Sequence, residues 1–204
     1  MGNTWFTSDT HFGHARIIES CHRPFADAAE MDAGIIRRWN QAVGAADTVW
    51  VLGDWALAEK ARGFEIVAEL HGTKHLVAGN HDACWPVRIG AQRHFRHFLE
   101  AGFASVQAFA RVKLPAAVKN APGRKVLLSH FPYAGDSQGG DRYAQFRLRD
   151  EGARLLHGHV HNAFLVSGRG INVGVDMHGF APVGALALAR MIDSIEGEDR
   201  AGTA

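Results

Sequence analysis

Short apolar runs recur along the chain, and each is too short to form a helix. They are rich in Leu or in the β-branched and aromatic residues that favour buried strands. We predict strands at residues 4–7, 48–52, 75–78, 126–128 and 155–156. Between the first of these runs, apolar residues recur every three or four positions, a spacing that predicts helices with one buried face.

The clearest helical pattern covers residues 28–43. Asp27 and Glu30 have the spacing of a capping box, which marks the start of a helix. We predict two further helices, one over residues 59–70 and one that starts near Pro86. Strands and helices therefore alternate in the first half of the chain.

The second half has a more β-rich pattern. From residue 103 to residue 114 apolar residues alternate with others, and short strand-like runs with Gly-containing turns follow residue 155. No internal repeat, low-complexity tract or linker divides the chain. We therefore predict an α/β fold in a single domain over residues 1–204, with a flexible tail after about residue 194.

Charge and composition narrow the range of functions. The 22 Lys and Arg residues nearly balance the 21 Asp and Glu residues, so the net charge of +1 indicates no general attraction to nucleic acid or anionic lipid. Any chemistry on phosphate groups must therefore be local. The count of 13 His residues is high for 204 residues, and several stand beside Gly, Asp or Asn, which favours a metal site.

The pattern of the chain also predicts its compartment. No signal-peptide pattern is visible, and no apolar run reaches the length of about 18 residues that a membrane span needs. We therefore expect a soluble, cytoplasmic protein without membrane contact. Cys21 and Cys84 are too few for a disulfide scaffold, and we expect both to be reduced thiols without a chemical role.

Polar clusters follow five of the predicted strands directly. Ligands of α/β sheets gather at the carboxyl ends of strands, so these clusters are candidates for one common site. In an extended segment residues i and i+2 point to the same side, so Asp9 with His11, and His159 with His161, can each converge on one place. Two such pairs suggest two metal positions. The clusters are residues 8–11, 53–54, 79–82, 129–130 and 158–161.

These five clusters, in this order, resemble the signature of the calcineurin-like metallophosphoesterase superfamily. That signature reads Asp-x-His, Gly-Asp, Gly-Asn-His-Asp/Glu, His and Gly-His-x-His, and here it extends from Asp9 to His161. Residues 6–14 and 171–176 are also similar to a group of small bacterial and phage members. The resemblance implies a four-layer α/β/β/α sandwich, in which two mixed β-sheets pack face to face with helices outside. It also implies a dinuclear metal centre at one end.

The resemblance also implies a role for each matching residue. His81 would protonate the leaving oxygen or stabilise the transition state. Oxygen and imidazole ligands suit Mn²⁺, Fe or Zn²⁺, and the sequence does not choose among them. We expect Mn²⁺ first, with Fe, Zn²⁺ and Ni²⁺ as alternatives. The implied ligands are Asp9, His11 and His161 for one metal, Asn80, His130 and His159 for the other, and Asp54 as a bridge between both.

One part of the family pattern is missing. Many relatives extend the second block to Gly-Asp-x-x-Asp-Arg/His-Gly, whereas residues 53–59 read Gly-Asp-Trp-Ala-Leu-Ala-Glu. In those relatives the missing Asp orients the catalytic His, and the Arg holds phosphate. We favour His14 for phosphate, although a helix-capping or solvated role accounts for it equally well. The candidate replacements are Asp82 for orienting His81, and His14, Arg16 and Arg23 for phosphate.

Other residues near the signature have less specific roles. The segment 136–143 is either a loop that covers the substrate or an ordinary surface loop. Asn172 and Asp176 are candidates for bracing metal-bound imidazoles. Trp55 and Phe131 adjoin predicted ligands, and we assign both to the core.

Together these features predict a metal-dependent phosphoesterase. Its substrate would be a small phosphomonoester or phosphodiester, with nucleotides among the candidates, hydrolysed by a water or hydroxide that bridges two metal ions about 3.5 to 4 Å apart. One alternative is a catalytically weak module of the same fold that binds other proteins. Another is a nuclease, which the near-neutral charge and the lack of a basic stripe disfavour.

Overall fold

Two five-stranded sheets form the frame of the protein in the computed structural model, which describes residues 2–57, 60–118, 121–137 and 140–201. From edge to edge, the first sheet consists of β10 (Val183–Gly184), β1 (Thr4–Thr7), β2 (Thr48–Val51), β3 (Thr73–Val77) and β4 (Phe103–Gln107). β1 to β4 run parallel, and β10 joins their edge antiparallel to β1.

The second sheet is also mixed. In spatial order its strands are β5 (Ala110–Leu114), β6 (Arg124–Leu128), β7 (Arg154–His157), β9 (Gly170–Asn172) and β8 (Val166–Ser167). The three central strands, β6, β7 and β9, are parallel, and the two edge strands are antiparallel to their neighbours.

Five α-helices accompany the sheets in the described residues. α2 begins as its sequence predicts, because the Asp27 carboxylate accepts the N–H of Glu30 at 2.8 Å. The Glu30 carboxylate reaches back to the N–H of Ala26 at 2.7 Å, one residue before the partner of a standard capping box. The helices are α1 (Ala15–Ser20), α2 (Ala28–Ala42), α3 (Lys60–Glu69), α4 (Gln92–Ala101) and α5 (Ala185–Ala201).

The start of one helix differs from its predicted position. α4 begins at Gln92 and not near Pro86, because turns occupy the preceding residues and Gly90 has a left-handed φ of 80° that a right-handed helix does not accommodate. The predicted first residue of α3, Glu59, lies outside the described residues. α5 continues past residue 194, and the flexibility of the segment after it stays a prediction.

The first sheet has a separate hydrophobic cluster on each of its two faces, because successive strand residues point to opposite faces. Val49 and Leu76 face the helices and pack with Trp39 of α2. Phe6 of the first sheet and Leu156 of the second belong to a common cluster between the sheets. Buried residues of α5 join this second cluster. The predicted α/β architecture, with two mixed sheets packed face to face and helices, is confirmed.

The alternating segment 103–114 divides between the two sheets. Its first part is β4 at the edge of the first sheet, and its second part is β5 at the edge of the second. Residues 108 and 109 connect them, so the chain crosses from one sheet to the other within two residues. No described helix has the length and apolar character needed to cross a membrane.

Candidate metal centre

The carboxyl ends of five strands meet at one end of the sandwich. β1, β2 and β3 are parallel neighbours in the first sheet, and β6 and β7 are parallel neighbours in the second. Each of the five signature blocks follows one of these strands. The structure therefore brings all seven predicted ligands together, although they are spread over more than 150 residues of sequence.

Asp54 lies at the centre of this group. Its Oδ2 atom is 3.6 Å from His11 Nε2, 3.5 Å from His130 Nε2 and 3.9 Å from His81 Nε2. Its Oδ1 atom accepts the backbone N–H of His81 at 2.9 Å. The side chain is buried. One carboxylate oxygen thus faces imidazoles from three different loops, which is the position that a bridging ligand requires.

Two groups of ligands flank Asp54. On one side, the Oδ1 atom of Asn80 lies 3.0 Å from His130 Nε2 and 3.0 Å from His159 Nδ1. On the other side, ligand atoms of Asp9, His11 and His161 lie within 4.8 Å of one another. The predicted ligands therefore surround Asp54, and Asp9 also comes within 4.8 Å of Asp54 and His130. Their division into two metal sites stays a prediction.

The residues present fit a divalent cation. Both ring nitrogens of His11 are buried and have no hydrogen-bond partner in the described part of the protein. A buried polar atom without a partner is costly, so its presence indicates a ligand. The surrounding donors are carboxylate and amide oxygens and imidazole nitrogens, which bind divalent metals of the Mn²⁺, Fe and Zn²⁺ type.

Two imidazoles are oriented by protein acceptors. A metal-binding imidazole normally donates its second N–H to an oxygen, which fixes the ring and its tautomer. His130 Nδ1 is bonded to the Leu52 carbonyl at 2.7 Å, and His159 Nε2 to the Asp136 carboxylate at 3.3 Å. His161 Nδ1 lies 3.5 Å from the Asp176 carboxylate and has no hydrogen-bond partner among the described residues.

Of the two residues predicted to brace imidazoles, only Asp176 faces a ring of the ligand group, and Asn172 bonds to backbone groups instead. Asp176 faces the His161 ring, and the side-chain amide of Asn172 donates to the His161 carbonyl at 2.7 Å. Cys21, which received no role from the sequence, has its thiol within 4.8 Å of His161 and Asp176. The bracing carboxylate Asp136 was missed, because in sequence it is one polar residue of a loop.

Five of the seven predicted ligands have left-handed backbone conformations. L-residues adopt these conformations rarely, and they mark functional sites where the surrounding structure enforces them. The prediction of extended segments is therefore wrong for these residues. His159 and His161, predicted to share one place, lie in different groups: His161 is close to Asp9 and His11, and His159 is close to Asn80. The φ angles are 56° for Asp9, 50° for His11, 53° for Asp54, 72° for His159 and 48° for His161.

Two glycines permit the close approach of these loops. A Cβ atom on Gly79 would overlap the carboxylate of Asp54, and one on Gly158 would overlap the side chain of Ser8. Both overlaps involve groups that backbone and side-chain bonds hold in place. Glycine is therefore required at both positions for the ligand group to assemble.

Asp82 has a different role from the one predicted. Its carboxylate accepts backbone N–H groups from Gly79 at 2.8 Å, Asp54 at 3.0 Å and Trp55 at 3.1 Å. These bonds tie the second and third signature loops together. Asp82 therefore shapes the loop that carries Asp54, and it does not orient the imidazole of His81. Burial, together with the negative charge of Asp54, raises the pKa of Asp82 to about 6.

The protonation states of the imidazoles differ across the group. Burial lowers the pKa of His11 well below its usual value, and burial with the nearby His130 lowers the pKa of His159 to about 3. Burial also opposes the charge on His130, but the attraction of Asp54 outweighs it and raises the pKa of His130 to about 9. His11 and His159 are thus neutral near pH 7, as ligands must be, whereas His130 would have to give up a proton to bind a metal.

A pocket of about 410 Å³ opens onto the ligand group. Of the residues predicted to hold phosphate, His14 and Arg16 line it, together with His81 and Asp54. His14 stands at the start of α1, but its side chain makes no capping hydrogen bond. Its position therefore favours the pocket role over the capping role.

Arg23 is not available to a substrate. Its side chain is fully buried, and its guanidinium forms two 2.8 Å bonds to the carboxylate of Asp176. It also donates to the carbonyls of Asp9 at 2.7 Å and Thr10 at 3.1 Å. Arg23 thus supports the loop of the first signature block from behind, and its predicted phosphate role is corrected.

The segment after the fourth signature block forms one wall of the pocket. Ser137, Arg142 and Tyr143 line the pocket, while Gln138 and Gly139 lie outside the described residues. The Tyr143 ring lies 5.7 Å from the ring of His159. The described part of this segment therefore lines the pocket, and its predicted role as a cover for the substrate stays a prediction.

The two aromatic residues assigned to the core are buried as expected. Trp55 is 1% exposed, and its indole N–H donates to the carbonyl of Gly63 at 2.8 Å. Phe131 is 2% exposed and packs against the rings of His130 and His159. Phe131 thus supports two predicted ligands by packing.

Comparisons with known proteins agree with this geometry. Residues 4–175 match the family model of the calcineurin-like phosphoesterase superfamily domain. The Gene 66 protein of Mycobacterium phage L5 is 39% identical over 187 residues, which cover 88% of this chain and 89% of that protein. The Gene 66 protein of Mycobacterium phage D29 is 37% identical over 205 residues, covering 96% and 98% respectively. The crystal structure of the protein of unknown function AQ665 from Aquifex aeolicus aligns with a TM-score of 0.66 at 25% identity, covering 96% of this chain and all of that one.

Proposed function

This chain belongs to the calcineurin-like phosphoesterase superfamily, and from that premise we propose that it hydrolyses a small phosphomonoester or phosphodiester with two divalent metal ions. The observation that carries the proposal is the buried Asp54 carboxylate, whose Oδ2 atom faces imidazoles from three loops. A module that only binds other proteins has no need of such a buried ligand group.

The ligand group divides into two sets that share Asp54. Two bound cations lower the pKa of a water molecule and neutralise charge on a phosphate ester. A shared carboxylate offsets part of the repulsion between them. Mn²⁺ is the metal we expect first, with Fe, Zn²⁺ and Ni²⁺ as alternatives. Asp9, His11 and His161 would hold one metal, Asn80, His130 and His159 the other, and Asp54 both.

His81 has the position of a proton donor to the leaving oxygen. Its side chain is 42% exposed and lines the pocket, whereas the neighbouring His11 and His130 rings are buried. Its backbone N–H is bonded to Asp54 Oδ1, which fixes the loop that carries it. An imidazole that faces both the pocket and the ligand group is placed to donate a proton to a departing alkoxide.

A substrate panel tests the proposal. The purified protein is stripped of metal, reloaded with Mn²⁺, and assayed on bis-p-nitrophenyl phosphate, p-nitrophenyl phosphate and 2′,3′-cyclic nucleotides, with Asp54→Asn as the blank. We expect hydrolysis that depends on metal and is absent from the blank. The relative rates separate a diesterase from a monoesterase. A folded protein that binds metal yet hydrolyses none of these esters with any of the four metals would contradict the proposal.

The role of His81 has its own test. We predict that His81→Ala keeps both metals but slows hydrolysis by about 100-fold or more for alkyl esters, and much less for p-nitrophenyl esters, because a good leaving group needs no proton. Elemental analysis and steady-state rates on the two ester types measure this. Equal slowing of both types would argue against proton donation.

A further inference from the structure

The second signature block of this chain lacks the arginine that many relatives carry there, so a cation for the phosphate is to be sought elsewhere in the pocket. Two arginines line the pocket in the part of the chain that the structure describes, Arg16 and Arg142. They differ in how firmly they are held. Arg16 lies on the short helix α1, and no described residue bonds to its guanidinium.

Arg142 is held by a buried carboxylate. Its Nε atom donates to Asp136 Oδ2 at 3.1 Å, and its Nη2 atom donates to Asp136 Oδ1 at 2.6 Å. The carboxylate of Asp136 is fully buried, although Arg142 itself is 42% exposed. Burial opposes the charge of Asp136, but the bonds from Arg142 and His159 outweigh it and hold the pKa of Asp136 well below its usual value.

The same carboxylate also touches the metal centre. Asp136 Oδ2 lies 3.3 Å from His159 Nε2, so one aspartate connects a predicted ligand to the guanidinium of Arg142. Arg147 strengthens this arrangement, because its nearly buried side chain donates to the carbonyl of Arg142 at 2.7 Å. Both the backbone and the side chain of Arg142 are therefore fixed relative to His159.

The donors that remain on Arg142 suit a phosphate. Its bonds to Asp136 use Nε and Nη2, and no acceptor among the described residues is bonded to Nη1. A planar guanidinium that is already oriented loses little freedom when it binds an anion, and charge-assisted bonds to phosphate oxygens are strong. Arg16 would have to be ordered on binding, which weakens its contribution.

We propose that Arg142 binds the phosphate group of the substrate and that Asp136 positions it beside the metal centre. This inference rests on the proposed hydrolysis of phosphate esters, and it names a residue that takes the place of the missing arginine. Arg142 contributes chiefly to substrate affinity. Its loss therefore raises KM and weakens phosphate binding, and it leaves the metal content intact.

The test compares Arg142→Ala and Arg142→Lys with two controls in the Mn²⁺-loaded protein. Arg16→Ala removes the other pocket arginine, and Arg149→Ala removes an exposed arginine of the same segment that pairs with Glu151. Three quantities are measured: metal content, the affinity for inorganic phosphate by calorimetry, and KM. Lys keeps the charge but not the fork of donors, so it also serves if Ala disturbs the loop.

We expect Arg142→Ala to weaken phosphate binding and raise KM by at least about 10-fold with two metals retained, the size of one lost charge-assisted contact. Lys should recover part of this, and Arg149→Ala should match the wild type. Unchanged phosphate affinity in Arg142→Ala, a loss carried by Arg16→Ala instead, or no phosphate binding by the wild type would each overturn the role of Arg142. Arg142-dependent phosphate binding without any ester hydrolysis would uphold it and overturn the hydrolase proposal alone.

Discussion

Two buried aspartates stand at opposite ends of strand β2. Asp47 precedes the strand, and its carboxylate accepts N–H groups from Asn3 at 2.6 Å, Gly44 at 2.9 Å and the Trp5 indole at 2.9 Å. Asp54 follows the strand and accepts one N–H group, from His81, while its other oxygen faces imidazoles at 3.5 to 3.9 Å. The protein alone therefore satisfies one carboxylate and leaves the other for a cation.

The pKa values of the two carboxylates show the same contrast. Both lie below the usual value for aspartate. For Asp47 the main cause is the hydrogen bonds from the backbone N–H groups of Gly44 and Asn3. For Asp54 burial acts in the opposite direction, and the charge of the nearby His130 outweighs it. Hydrogen bonds from fixed N–H groups stabilise the charge of Asp47. The charge of Asp54 is stabilised by a charged imidazole, and a metal ion can replace that charge.

Exchanging Asp54 for asparagine gives the largest expected effect, and the same exchange at Asp47 is its control. We predict that Asp54→Asn lowers turnover by at least about 100-fold and loses at least one metal, because it removes the charge that both cations share. Asp47→Asn should keep the metal content and the turnover of the wild type. Elemental analysis and rates on a p-nitrophenyl ester measure both variants. Normal turnover and two metals in Asp54→Asn would contradict the assignment of this end as the reactive one.

Metal removal should lower the unfolding temperature through the Asp54 end of β2 and not through the Asp47 end. We predict that saturating Mn²⁺ raises the unfolding temperature of the wild type and of Asp47→Asn by about 5 to 10 °C over the chelator-treated protein, since a ligand at 100 times its Kd adds about 2.7 kcal/mol. In Asp54→Asn the gain should be much smaller. Differential scanning calorimetry with and without chelator measures these shifts. An equal gain in both variants would show that Asp54 does not contribute to metal binding.

The smallest effect concerns the pH dependence at the Asp47 end. Because folding lowers the pKa of Asp47, its contribution to stability is present above the unfolded pKa of about 3.9 and is lost as the pH falls below that value. We predict that Asp47→Asn unfolds a few degrees below the wild type at pH 7 and that the gap narrows as the pH falls below the unfolded pKa. Thermal unfolding of chelator-treated protein across this range measures it. A gap that stays constant with pH would assign the effect to packing.

The parts of the molecule that follow local signals were predictable from the sequence. Buried strands that end in polar blocks show themselves as apolar runs, and parallel neighbours bring their carboxyl ends to one edge. The grouping of Asp54 with Asn80 and His130 follows from this rule and from the resemblance. The capping aspartate of α2 was predictable for the same reason, because its hydrogen bond spans three residues.

Contacts that span distant segments could not be predicted in this way. Asp136 and Arg142 belong to the site through contacts across a loop, and no spacing in the sequence marks them. Arg23 and Asp82 were assigned the wrong roles, because a charged residue near a signature block can face the pocket or support the loop from behind. Only the packing of the loops decides between these orientations.

The left-handed ligand residues have a consequence for engineering this protein. Each such residue holds strain of order 1 kcal/mol that the sandwich must sustain. Exchanging His161 or His159 for glycine would relieve it. The same exchange removes a ligand, so a search for hardier variants guided by heat resistance alone would select damaged catalysts. Screens for robustness should therefore be run with metal present and turnover scored alongside.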